Sequence, residues 1–181
     1  MSVTTATQAV PTGTWELDPV HSTIGFEIEY LVGTFRGRFD DVQAKLDTSH
    51  GAPTLRGSAT VESVDVKDEN LAAHLKSPEF FDAERHPELV FESSEIDRAG
   101  DEVRARGEIT IKGISRPIEL TGTLTDPIVD AYGRDRIGLA LSGSLDRTEF
   151  GLNWNMPLPD GKPALANEVT LEAELYFVRE A

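Results

Sequence analysis

From Ile24 to Phe177 this chain is written largely in period two, and that patterning limits what it can fold into. Ile24, Phe26, Ile28 and Tyr30 alternate with polar or small residues. So do Leu55, Gly57, Ala59 and Val61, and then Leu89, Phe91 and Ser93. The pattern continues through Val103 to Ile111, Ile118 to Leu124, Ile137 to Gly143 and Val169 to Phe177. Each run has one apolar face and one face fit for water, the signature of half-buried antiparallel strands. A further strand, about 34 to 47, changes parity: Phe35 and Phe39 share one phase, Val42, Ala44 and Leu46 the other. A bulge at Asp40-Asp41 reconciles the two. Turn signals at Ser49-His50-Gly51, Ala99-Gly100-Asp101, Lys112-Gly113 and Tyr132-Gly133-Arg134 separate the runs. About eight long strands joined mostly by short turns predict an all-β, extended, antiparallel barrel, since closure removes exposed edges. A two-sheet sandwich is the competing architecture.

One segment breaks the pattern. The stretch from Asp68 to Phe91 (DENLAAHLKSPEFFDAERHPELVF) contains a helical connection near residues 68–82. Asp68 is placed to cap a short helix carrying Leu71 and Leu75 on one face. Ser77 is placed to cap a second turn, with Pro78 at its first position. Phe80 and Phe81 follow, and Pro87 returns the chain to a strand. Such a connection exceeds ordinary hairpin lengths, and we read it as a cover over one barrel end.

Small residues recur in the inward phase: Gly37, Ala44, Gly57, Ala59, Ala105, Gly107, Gly122, Gly143 and Ala173. A barrel of this size is either just filled or holds one small ligand. Small inward residues favour open space; relief of strain at barrel corners is the other reading. The remaining inward residues are aliphatic or aromatic, so an open interior suits a long apolar ligand oriented by a few polar groups at the mouth. At about 0.8 kcal/mol per buried methylene, a chain of a few tens of carbons binds tightly without special chemistry. On this parity Phe26, Tyr30, Phe91, Leu120, Leu139 and Leu171 are the expected ligand-binding residues. A one-residue slip in a strand would invert its assignment.

At 181 residues the chain suits a single domain. Residues 1–13, small and polar, read as a flexible tail ahead of a barrel domain spanning 14–181. The N-terminus has neither a basic nor an apolar signal region, so the expected location is cytoplasmic. A net charge of −15 argues against nucleic acid or an anionic membrane as the main partner. No apolar run reaches the roughly 18 residues of a spanning helix, so stable membrane insertion is not expected. With no cysteine, disulfides and thiolate metal sites are excluded.

Candidate chemistry is sparse. Asp18, His21 and Ser22 invite a triad reading, but near neighbours at a strand start do not naturally form that relay; a turn-capping Asp with a hydrogen-bonded His is the alternative. His74 and His86 lack a third ligand at metal-site spacing. Lys112, Arg116, Arg36, Arg38 and Arg147 are scattered cations, any of which would suit an anionic head group or a surface ion pair. Arg147 stands out because it closes a strand just before Phe150-Gly151. No catalytic residue, metal or cofactor is expected.

Several segments together resemble the YceI-like family of polyisoprenoid-binding, lipocalin-like proteins. These are Trp15-x-x-Asp18-Pro19-x-His21-Ser22 with Ile24 and Phe26, Gly33-Thr34-Phe35-x-Gly37-x-Phe39, His74-Leu75-x-Ser77-x-x-Phe80-Phe81-Asp82 with Pro87 and Phe91, the block from Gly107 to Pro117, and Arg147 to Gly151. The resemblance implies an eight-stranded antiparallel barrel whose apolar pore holds a long isoprenoid, a prenyl quinone or prenyl pyrophosphate, with no catalytic residues. Glu149 stands where the family often has Asp, and many members are exported, so neither the geometry there nor periplasmic carriage transfers. The leading functional reading is a non-enzymatic protein that sequesters or transports such a lipid. An enzyme acting on a lipophilic substrate at the barrel mouth and a filled-barrel, stress-related interaction module are the alternatives. A homodimer is left open.

Overall fold

The computed structural model describes residues 9–181. Its strands are β1 (Thr14–Leu17), β2 (Thr23–Tyr30), β3 (Gly33–Phe39), β4 (Val42–Asp47), β5 (Thr54–Thr60), β6 (Val64–Asp65), β7 (Glu88–Ala99), β8 (Glu102–Ile111), β9 (Ile114–Leu124), β10 (Ile128–Val129), β11 (Asp135–Asp146) and β12 (Leu165–Arg179). One α-helix, α1 (Glu69–Lys76), lies between β6 and β7. Three pairs of segments, β1 with β2, β3 with β4 and β5 with β6, each make one bent stave. β12 pairs with both β1 and β2, while β4 pairs with β1 and β3 with β2. The remaining staves follow in chain order, and β11 pairs with β12 to close the barrel. The result is the eight-stranded antiparallel barrel that the alternation predicts, not the sandwich.

The bends explain the parity change. β3 stops at Phe39 and β4 resumes at Val42, with Asp40 and Asp41 between them in a bend. The Asp41 carbonyl accepts from Thr60 N–H at 2.9 Å, and its carboxylate accepts from the Thr60 hydroxyl. Phe39, Val42, Ala44 and Leu46 therefore all face inward, although their spacing is not uniform.

The two ends of the barrel differ. At the end carrying β1, Trp15, Leu46, Leu124, Ile137 and Phe177 are completely or nearly completely buried and fill the cross-section. Within the stretch expected to be a loose tail, Val10 is buried and the Pro11 carbonyl accepts from Trp15 Nε1 at 3.0 Å. That segment helps seal this end; residues 1–8 lie outside the described residues.

The opposite end carries the helical connection. The Asp68 side chain accepts from Leu71 N–H at 2.9 Å and caps α1 as expected. Ser77 does not start a second helix. Its hydroxyl donates to the His74 carbonyl at 2.6 Å, and its own carbonyl accepts from Phe80 and Asp82 N–H. It thus ends α1 and begins a chain of turns, because the carbonyls left free at a helix end need donors. Leu75, Phe80 and Ala83 are buried on the barrel side.

Candidate functional site

A cavity of about 330 Å³ occupies the half of the barrel beneath the helical connection. Phe26, Phe35, Phe39, Phe91, Leu120 and Leu171 are among its walls, and Leu71, Leu75, Phe80 and Phe81 close it from the connection. Phe26, Phe39 and Phe81 meet with ring centroids 5.9–6.4 Å apart. Leu55 and Leu141 form its floor, since both also border a void of about 10 Å³ in the packed half. Tyr30 lines the cavity and is exposed, so the space reaches the surface beside the β2–β3 turn.

Of the six expected ligand-binding residues, Phe26, Tyr30, Phe91, Leu120 and Leu171 stand on the cavity wall. Leu139 does not. It faces inward and is 4% exposed, but it borders only the small void with Val103 and Leu124. Parity gives a residue's face but not its height along the barrel axis.

The small inward residues divide by role. Gly57 opens onto the cavity: a β-carbon there would find only Gln43 O, at 3.8 Å. Gly107 and Gly122 are different, since a β-carbon would collide with the Glu92 or Ala140 carbonyl of the neighbouring strand. They permit close backbone approach where the barrel curves. Gly143 similarly leaves room for Leu120, and Gly37 for the Phe26 ring.

Few polar groups adjoin the cavity. His74 packs edge-on against Phe80 and Trp154, with ring centroids 4.9 and 4.8 Å away, and its Nε2 lies 2.7 Å from Glu79 Oε2. His86 lies over Gly113 instead. Arg147 is buried at 3% exposure and forms part of the wall. Its Nε donates to Ala166 O, and Nη1 to Leu152 O and Trp154 O. The other cations singled out are engaged elsewhere: Arg36 with Glu27, Arg38 with Asp40 and Asp65, and Lys112 Nζ with the Pro78 carbonyl at 2.7 Å. Arg116 is exposed on β9.

Asp18, His21 and Ser22 are absent from the cavity wall. His21 Nδ1 lies 2.8 Å from Asp18 Oδ2, but the Ser22 hydroxyl donates to the Asp18 carbonyl and accepts from Tyr176 N–H. No Ser–His hydrogen bond joins them, so the relay a triad requires is not formed. Arg136 instead bridges Asp18 and Asp130, at 2.9 and 2.7 Å. The His21 hydrogen bond, followed by that from Arg136, holds the Asp18 carboxyl down at about 2. Asp130 is also held well below the usual carboxylate range, chiefly by Arg136. This network ties the β1–β2 and β10–β11 connections together.

A family model for the YceI-like domain matches residues 15–177. The chain belongs to the YceI-like family. A UPF0312 protein of Staphylococcus epidermidis is 30% identical over 171 residues, covering 90% of this chain and 96% of that protein. A UPF0312 protein of Staphylococcus aureus is 31% identical over 169 residues, covering 88% and 94%. Among solved structures, Burkholderia cenocepacia BcnA superposes with a TM-score of 0.75 at 21% identity, covering 88% of this chain and 98% of that one. A polyisoprenoid binding domain from Saccharophagus degradans, implicated in plant cell wall breakdown, gives a TM-score of 0.66 at 11% identity, covering 92% and 98%. At these identities the structures establish the shared YceI-like barrel.

Sequence reading missed Phe35, Phe39, Phe81 and Trp154 as wall residues. The aromatic pair at Phe80-Phe81 was the available signal for one of them. Trp154 sits in a loop without period, so alternation had nothing to say about it.

Proposed function

We propose that this protein is a non-enzymatic, soluble cytoplasmic carrier or store for an isoprenoid lipid, a prenyl quinone or prenyl pyrophosphate, held in the cavity beneath the helical connection. The carrying observation is the cavity itself: about 330 Å³, walled almost entirely by aliphatic and aromatic side chains and reaching the surface at Tyr30. Burial of apolar chain supplies the affinity, and a ring of aromatics tolerates the branched, unsaturated repeats of a prenyl tail. Family membership and the Saccharophagus degradans domain's description support the same ligand class.

The volume refines the expectation of a few tens of carbons. Ligand pockets span roughly 300–1,000 Å³, so this one lies at the small end. It encloses a short prenyl chain, and a longer tail extends through the mouth. Native mass spectrometry of the purified protein after organic extraction and reloading tests the reading. One prenyl quinone retained per barrel is expected. Repeated recovery of empty barrels with no uptake overturns it.

A further inference from the structure

The cavity opens where this acidic chain carries little charge. Tyr30 to Phe35, at the β2–β3 turn, contains no charged residue. Phe150 to Asn167, which includes the loop leading into β12, contains only Asp160 and Lys162, and these cancel. The two segments meet beside the mouth. Leu31 N–H donates to the Ala164 carbonyl at 3.0 Å, and Ala164 N–H to the Met156 carbonyl at 3.0 Å. Tyr30 pairs with Leu165, and Pro157 with Pro163. Asn155 pins the loop: its side-chain amide donates to the Leu165 carbonyl, and its oxygen accepts from Leu165 and Met156 N–H.

Apolar side chains stand on this frame and face outward. Val32 is fully exposed, Leu31 and Met156 are more than half exposed, and Tyr30 is also exposed. Tyr30, Trp154 and Leu165 line the cavity, so apolar surface runs from the inner wall out to the tip. Leu31 holds its left-handed backbone, φ 52°, at the most apolar point of the turn. Strain spent on displaying a leucine to water points to a use for the display. Ile128, Val129 and Tyr132 are exposed too, but they do not border the cavity. They sit beside the Asp130–Arg136 pair, with Arg134 stacked on Tyr132.

A lipid surface is the occupant these features favour. The frame's own backbone groups are paired with one another, so the tip can leave water without stranding donors. Tyrosine and tryptophan among aliphatics suit a membrane–water interface. A protein partner needs a broad complementary face, whereas two joined loop tips offer a point. Of the charges bounding the two segments, Glu29, Glu149 and Glu168 are acidic and exposed, and Arg36 is paired with Glu27. The surface that fits is therefore zwitterionic, not anionic.

We propose that Leu31, Val32 and Met156 form a docking tip for a zwitterionic bilayer, on which the cavity mouth meets the acyl layer and the isoprenoid passes between bilayer and barrel without crossing water. This rests on the isoprenoid-binding reading and adds where the ligand is loaded.

The test uses the full chain. Phosphatidylcholine vesicles without isoprenoid, and the same vesicles doped with phosphatidylserine, are mixed with protein and floated. Prenyl-quinone transfer from phosphatidylcholine vesicles to the protein is timed over a range of vesicle concentrations. Quinone uptake is also measured on addition from ethanol. The wild type should float with neutral vesicles, and less with anionic ones at low salt. Its transfer rate should rise with vesicle concentration, as contact requires. In Val32→Glu/Met156→Glu, vesicle association and transfer rate should fall by about tenfold or more, with uptake from ethanol unchanged. Both side chains are exposed, so the fold should survive. Should it not, wild-type flotation and the concentration dependence of transfer decide. No flotation of the wild type, with transfer independent of vesicle concentration and uptake from ethanol retained, overturns the docking tip and leaves isoprenoid binding intact. Undiminished flotation of a folded double variant overturns it as well. So does a concentration-dependent dimer, lost in the variant, from a protein that does not float; that result gives the tip to a second copy of the chain. Absence of quinone uptake from either source removes the isoprenoid reading and the loading role with it.

Discussion

Gly113 lies so close beneath His86 that a β-carbon on it would stand 2.8 Å from the imidazole Cε1. Gly113 is also in the left-handed region, at φ 76°, as is Lys112 at φ 52°. Ile111 and Ile114 pair across these two residues, so the turn is the tight hairpin type that needs positive φ at both. Lys112 Nζ meanwhile donates to the Pro78 carbonyl. The β8–β9 turn thus clamps the helical connection from below. Gly113→Ala is expected to lose about 1–2 kcal/mol from backbone strain, with the contact to His86 adding to it. At roughly 2–4 °C per kcal/mol for a chain of this size, thermal unfolding should show the drop. An unchanged midpoint would show that the clamp is not formed.

Acid stability should report the Asp18–Arg136–Asp130 network. Both carboxyls sit below their ordinary values in the folded protein, Asp18 at about 2. Depressed folded-state values mean that the unfolded chain takes up protons first. The stabilisation is therefore complete above the unfolded value near 4 and is lost as pH falls from there toward 2. The urea midpoint of the wild type should fall across that window. In Asp18→Asn/Asp130→Asn the midpoint should be lower at neutral pH and fall less steeply. Identical slopes in the two proteins would show that the network does not titrate as described.

Leu139→Ala separates the packed half from the cavity. Leu139 is buried against the filled end, so its truncation should cost about 2–5 kcal/mol in denaturant unfolding. Prenyl-ligand affinity, measured where the variant is fully folded, should be unchanged. A marked loss of affinity at retained fold would place Leu139 on the ligand path after all.

Leu31 holds a left-handed conformation, φ 52°, at the β2–β3 turn, and is 54% exposed. Glycine relieves roughly 1–2 kcal/mol of strain there, and its greater freedom in the unfolded chain returns about 0.5–1 kcal/mol. Leu31→Gly should therefore leave stability level or raise it by about 1 kcal/mol, read from chemical denaturation. A clear loss would mean that the leucine side chain makes a contact that offsets its strain.

The barrel was legible in the sequence because alternation is enforced residue by residue once one face is buried. Val103 to Ile111 and Ile137 to Leu141 show it without exception. The Asp40-Asp41 interruption was legible for the same reason, since a parity change has few physical causes. Height along the axis was not legible: Leu139 and Leu120 look alike in sequence, and only the closure of the far end by Trp15 and Phe177 separates them. Nor was the role of each glycine. Gly57 and Gly122 occupy the same phase, but which of them faces space depends on how closely the next strand's backbone approaches. Ser77 reads as a helix start, whereas the need for a donor at the end of α1 claims its hydroxyl.

The central claim is that the space between Gly57 and Arg147 is where the lipid sits. The most direct test is prenyl-quinone titration of wild type against Gly57→Leu, each first shown to be folded. A side chain at Gly57 meets no protein atom closer than 3.8 Å at its β-carbon and projects into the cavity, so the fold should survive while the space is filled. The account requires saturable binding in the wild type and its loss, by tenfold or more, in Gly57→Leu. Equal affinity in a folded Gly57→Leu protein would contradict it.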